Sequence, residues 1–223
     1  LLSVLARQPA LARVRDPASL RIAVSVKLPT GVGPIPKEFV TAVVEAGQLL
    51  AAAGHRAEEA RPRYGNLGPA LLTRWLAGPG QTDPATDWRH VELRTLRHLR
   101  AASVVRNMGL VRNGARRRWV LRAQQFFTKY DMLITPMLAT RPPRAIAWRK
   151  KGWLANAVSS VRLTGYLGPW DLAGFPAMSI PAGRDKSGLP IGVQIVAPPG
   201  CESRLLSVAA QLESLNPWPR TAV

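Results

Sequence analysis

A single cysteine, Cys201, stands in a chain of 223 residues. It excludes an internal disulfide framework and fits a reducing, cytoplasmic setting. No apolar run approaches the roughly 18 residues that span a membrane, and the opening Leu-Leu-Ser-Val-Leu-Ala-Arg has no basic start of the signal-peptide kind. Histidine is scarce as well, with His55, His90 and His98 alone. His55 falls in a turn beside Arg56, where solvation or a local hydrogen bond accounts for it. The other two are separated on an arginine-rich helix by about 12 Å of helical rise, too far to share a metal. No Cys/His spacing suggests zinc, so no metal is expected.

Acid is the next shortage: 13 Asp and Glu face 31 Lys and Arg, a formal charge of +18. Ten of the basic residues fall between Arg89 and Arg122 against one acid, Glu92. Such a footprint suits nucleic acid. Yet the interleaved aromatics that stack on bases are missing, with Trp119 alone inside the cluster. A solvated basic helical face is the expectation, and nucleic acid is an unlikely partner. An acidic stretch of polypeptide elsewhere in a longer protein would also balance the charge.

Glycine never occurs twice in succession, and no Gly-x-Ser-x-Gly elbow is present. Backbone N–H groups cannot then be expected to cradle an oxyanion. Gly31-Val-Gly33 is no phosphate loop, because Pro34 and Pro36 remove the donors such a loop supplies. Ser159-Ser160, with Lys150 and Lys151 nearby, lacks flanking glycine and so offers no backbone cradle for an oxyanion. Glu58-Glu59 points its carboxylates to opposite faces if it lies on a strand. No catalytic residue and no cofactor is therefore assigned.

What is there is an alternation of strands and helices. Leu1, Leu2, Val4 and Leu5 have helical spacing with no cap before them, as in the last turns of a helix. Arg21–Lys27 alternates as a strand. Pro36 suits a first helical position for a helix to Ala53, with Phe39, Val43, Ala46, Leu50 and Ala53 on its buried face and Gly54 as its cap. His55–Ala60 returns as a short strand. Asn66–Ala77, Trp88–Val105 and Arg112–Phe127 read as helices, with a loop over Gly78–Pro84. Tyr130–Thr135 reads as a buried strand, and Lys150–Gly165 as partly helical. Two apolar runs, Ala177–Pro181 and Ile191–Ala197, flank a polar turn as paired strands. Leu205, Leu206, Val208, Ala209, Leu212 and Leu215 mark a last helix, ending before Pro217. The class is α/β, a mixed β-sheet covered by helices.

The block Leu167-Gly-Pro-Trp-Asp-Leu-Ala-Gly-Phe-Pro-Ala-Met-Ser-Ile-Pro-Ala-Gly183, then Gly188-Leu-Pro-Ile-Gly-Val-Gln-Ile-Val-Ala197 and the amphipathic helix to Leu215, resembles the C-terminal end of the amidase signature family of serine amide hydrolases. The strand–helix–strand unit with its Gly54-His55-Arg56 turn is similar to that family too, as is Tyr130-Asp-Met-Leu-Ile-Thr-Pro136. The resemblance implies that residues 1–223 are the C-terminal part of a single amidase-type domain. The whole enzyme would hydrolyse a carboxamide to a carboxylic acid and ammonia or an amine. The family's nucleophilic serine, bridging serine and lysine belong to its N-terminal half, so this chain is expected to be inactive alone. The resemblance names that missing half and a small-molecule amide as partners and allows a homodimer of the whole enzyme; with no long apolar run, no membrane partner is expected.

Residues Gly168 to Pro176 carry too much glycine and proline for regular structure and precede a strand. They read as a loop at a sheet end, where α/β proteins bind ligands. By resemblance this loop lies near the acyl pocket. Trp170 and Phe175 would form apolar walls, with Asp171 as a polar contact and Gly174 between them. The alternative reading makes the two rings core plugs and Asp171 a cap for backbone N–H groups. The family more often has asparagine at Asp171, and a carboxylate only accepts hydrogen bonds. Two other readings remain. A tRNA-dependent amidotransferase subunit of the same family would carry an acid within residues 158–167, where Arg162 stands instead. A noncatalytic basic module binding nucleic acid is the other.

Overall fold

The computed structural model describes residues 17–29, 33–78 and 91–219, together with Arg7. The helix expected over Leu1–Leu5, His90 and most of the Gly78–Pro84 loop lie outside the described residues.

Among the described residues five strands form one sheet: β1 (Arg21–Val24), β2 (Arg56–Glu59), β3 (Met132–Pro136), β4 (Ala177–Arg184) and β5 (Pro190–Val196). Their spatial order is β2-β1-β3-β5-β4. The first three run parallel and the last two antiparallel, so the direction reverses between β3 and β5. β3 is central and buried along its whole length, which is why every residue in it except Thr135 is apolar. β4, at the edge, alternates between exposed and covered residues. Its Pro181 sits next to a register shift, a place where a residue without an N–H is tolerated.

Successive residues of each strand feed opposite faces of the sheet. On one face Ile22, Met132, Ile134 and Ile195 pack under α1 (Lys37–Ala52) and α7 (Glu202–Leu215). On the other, Ala23, Leu133 and Val196 meet Trp119, Ala123 and Phe127 of α4 (Asn113–Phe127). The remaining helices are α2 (Gly68–Ala77), α3 (Leu93–Asn107), α5 (Trp153–Leu163) and α6 (Gly168–Ala173).

Helix α1 follows its sequence signals closely. Phe39, Val43, Ala46 and Leu50 are buried as the spacing requires. Pro36 has extended backbone angles and precedes the helix instead of opening it. At the far end Gly54, with φ of +94°, donates to the Ala51 carbonyl at 3.1 Å, and the His55 N–H reaches back to Leu50 at 3.1 Å. This paired closure satisfies the last carbonyls and needs a residue free to adopt the left-handed conformation. His55 is buried, as a structural residue: Nδ1 accepts the Leu20 N–H at 3.1 Å and Nε2 lies 2.7 Å from Gln211 Oε1.

Two expectations are corrected. Strand β1 ends at Val24, three residues before Lys27; the Ser25 N–H still donates to the Ile134 carbonyl at 2.9 Å, and the Val26 carbonyl accepts the Tyr166 hydroxyl at 2.5 Å. The expected loop at Gly168–Pro176 is largely helix α6. Pro169 lies in its first turn, where its missing N–H costs nothing, and Gly174 ends it at φ of +75°. The residues that argued against regular structure mark its two ends.

Candidate functional site

The segment entering α6 is tied to the carboxyl ends of the parallel strands. Tyr166 donates its hydroxyl to Val26, just past β1. Gln194 of β5 donates through Nε2 to Thr135 Oγ1 on β3 at 3.1 Å and to the Tyr166 carbonyl at 3.3 Å. Thr135 in turn donates to the Pro136 carbonyl at 3.1 Å. Gln194, Thr135 and Tyr166 are buried, and burial raises the Tyr166 phenol well above its usual range. A buried polar node of this kind is costly unless every member is paired, so it fixes the position of α6. The expectation of a segment at a sheet end holds; its conformation does not.

Around that anchor, α6 is held from both ends. Trp119 Nε1 donates to the Pro169 carbonyl at 2.6 Å. Arg116 donates through Nε to the Leu172 carbonyl at 2.8 Å, placing a guanidinium at the helix C-terminus, where the backbone dipole favours positive charge. Trp170 is 1% exposed and lies in an aromatic cluster with Tyr64, Trp119, Phe127 and Phe175, ring centroids 5.3 to 6.2 Å away. Its Nε1, like the Tyr64 hydroxyl, is buried without a hydrogen-bond partner among the described residues. Phe175 is buried in the same cluster. Asp171 and Gly174, by contrast, are exposed. No side-chain cap hydrogen bond is made at the start of α6. Partial desolvation raises the Asp171 carboxyl above its ordinary value.

The other candidates scatter. Ser159 and Ser160 lie on α5, where the Ser160 carbonyl accepts from the Thr164 N–H at 3.0 Å and its hydroxyl at 2.9 Å. Lys150 and Lys151 are exposed on the turn before it. Glu58 accepts the Tyr130 hydroxyl at 2.5 Å at the sheet surface. His98 contacts Trp75, with Nε2 at 3.3 Å from the Trp75 carbonyl. Among the described residues no group of three His, Cys, Asp or Glu is arranged to hold a metal.

Sequence reasoning missed Gln194, Thr135 and Tyr166. A signal was present for the first: Gln194 is the one polar residue in the run Ile191–Ala197, and a lone amide inside a buried strand must bond to something. Tyr166 had no comparable mark.

Comparison with known proteins places this architecture. The family model described as Amidase matches residues 6–206. Putative amidase AmiB2 of Mycobacterium tuberculosis is 33% identical over 216 residues, covering 93% of this chain and 46% of that protein. The 6-aminohexanoate-cyclic-dimer hydrolase of Paenarthrobacter ureafaciens is 27% identical, over 91% of this chain and 45% of its own length. A solved structure of 6-aminohexanoate cyclic dimer hydrolase complexed with substrate superposes with a TM-score of 0.76 at 26% identity, covering 95% of this chain and 48% of that one. The chain thus spans about half the length of the curated relatives it matches. With the sheet order, the family match and the shared fold in agreement, the chain belongs to the amidase signature family.

Proposed function

We propose that this chain is the C-terminal part of an amidase that hydrolyses a carboxamide to a carboxylic acid and ammonia or an amine. The observation that carries the reading is the match of residues 6–206 to the Amidase family by a chain about half as long as its relatives. Its contribution is the scaffold side of the pocket: a sheet whose parallel strands end beneath α6, and a helix locked there by Gln194, Tyr166 and Arg116. The serine pair and lysine are supplied by polypeptide that corresponds to the other half of those relatives. Asp171 and Gly174, exposed at α6, are the positions through which this side reaches an amide, while Trp170 and Phe175 back them from the core.

Helix α5 supports a missing neighbour. None of its residues is buried, and Leu154, Val158 and Val161 stand 68%, 48% and 53% exposed at the spacing of one helical stripe. An apolar stripe of that kind is a surface for another element. No observation favours the amidotransferase reading, since residues 158–167 hold Arg162 and no acid.

The test is an amidase assay of the purified chain against aliphatic and aryl carboxamides. Hydrolysis at the buffer rate is expected, because loss of a whole catalytic triad costs about 10⁶ in rate in a serine protease. Robust turnover sensitive to a serine-directed inhibitor overturns the reading. Sequencing the DNA upstream of the Leu1 codon tests the rest: a continuous frame with a lysine and a glycine-flanked serine pair is expected.

A further inference from the structure

A cleft outside the α6 region lies between α2, α3 and α5. Trp75, His98 and Trp153 meet there. The two indole centroids are 6.2 Å apart with planes inclined by 29°, and the imidazole lies 4.5 Å from Trp75 and 5.9 Å from Trp153. Arg94, Asn156 and Ser160 also line it. Asn156 is held in one orientation, its Nδ2 donating to the carbonyls of Trp148, Lys151 and Gly152 at 3.2, 3.3 and 3.1 Å. The cleft is open to solvent and its volume is about 170 Å³.

Shape and charge together select the occupant. Indole faces accept a flat ring by offset stacking. They also attract cations, but here Arg94 is part of the lining and the chain carries +18, so a cationic ligand meets repulsion. Glu92 is ion-paired to Arg94 with both side chains about half exposed, a weak pairing that a ligand's carboxylate displaces. An anion bearing a ring satisfies both the aromatic and the electrostatic character of the cleft. We infer that this cleft binds a small planar aromatic carboxylate, its ring against Trp75 and Trp153 and its charge toward Arg94. The site rests on the cleft alone and stands whether or not the chain takes part in amide hydrolysis.

Fluorine NMR of para-fluorobenzoate titrated with the intact chain reads the binding directly. Saturable broadening of the ligand signal is expected, weaker with para-fluorobenzamide and absent with para-fluorobenzylammonium. Arg94→Gln should weaken benzoate binding about tenfold, the loss of one charge-assisted contact. Ser160→Phe, which adds a ring to the cleft from an exposed helical position, should abolish it. Arg97→Gln, on the same helix but not lining the cleft, should leave it unchanged and so controls for general attraction to a basic protein. Circular dichroism verifies that each variant keeps its helices; all three changed positions are exposed. Absence of saturable binding, equal loss in Arg94→Gln and Arg97→Gln, full binding in Ser160→Phe, or benzylammonium binding as well as benzoate would each overturn the proposal.

Discussion

Trp119 and Trp170 form a matched pair for a stability measurement. Both indoles are buried, at 0% and 1% exposure, in the same aromatic cluster, with centroids 5.3 Å apart. Replacing either by phenylalanine removes the same atoms from a similarly packed place, so the cavity costs nearly cancel in the comparison. The hydrogen bonds do not cancel. Trp119→Phe deletes the bond from Nε1 to the Pro169 carbonyl, a net loss of about 1 kcal/mol. Trp170→Phe deletes a buried N–H without a partner among the described residues, which relieves a desolvation cost of about 1 kcal/mol. Trp119→Phe should therefore be less stable than Trp170→Phe by about 2 kcal/mol. Urea unfolding at low micromolar concentration, followed by far-ultraviolet circular dichroism, measures the difference without depending on tryptophan emission. Equal midpoints, or a lower midpoint for Trp170→Phe, would show that α6 is not held through the Pro169 carbonyl.

Charge and surface give three more expectations. Hydrogen bonding to Arg21 holds the Asp131 carboxyl below its ordinary value, so its stabilising effect is present above about pH 4 and is lost as pH falls through the depressed folded value. Asp131→Asn should flatten acid unfolding in that window; an unchanged acid limb would contradict it. Asp171 has the opposite sign: partial burial raises its pKa, so the folded chain loses stability as pH rises past the ordinary carboxylate value. Asp171→Asn should raise the melting temperature at neutral pH and leave it unchanged at strongly acidic pH, as differential scanning fluorimetry would record. The α5 stripe should bind apolar dyes such as anilinonaphthalene sulfonate, and Leu154→Glu with Val158→Glu should remove much of that signal. Because both positions are exposed, the pair should shift stability by no more than about 1 kcal/mol.

The parts of the fold legible in the residues were those where local and long-range signals agree. Helix α1 carries its apolar stripe and its Gly54 terminator, β3 its apolar Met132–Ile134 ahead of Thr135 and Pro136, and the β4–β5 pair its polar turn. Helix α6 was not legible. Six residues with Gly168 and Pro169 at their start have little intrinsic helicity, and the helix exists because the Trp119, Arg116 and Gln194 contacts hold it. Those contacts join positions 28 to 57 residues apart in the chain, beyond the reach of any local pattern. The same holds for the candidate site. The position of the 168–176 segment at the sheet end could be read from the strand that follows it. Its anchoring through Tyr166 and Val26, 140 residues apart, could not.

The reversal of strand direction at β3 has a bearing on how the protein is made. Met132–Pro136 pairs on one side with β1, which the ribosome releases before it, and on the other with β5, which emerges after it. A nascent chain stalled before Pro190 would carry its most apolar strand with one flank uncovered, and Tyr166 without the glutamine that fixes its backbone. Cotranslational holding by chaperones should therefore matter most for this stretch, and protease resistance of arrested chains should rise sharply once β5 has cleared the exit tunnel.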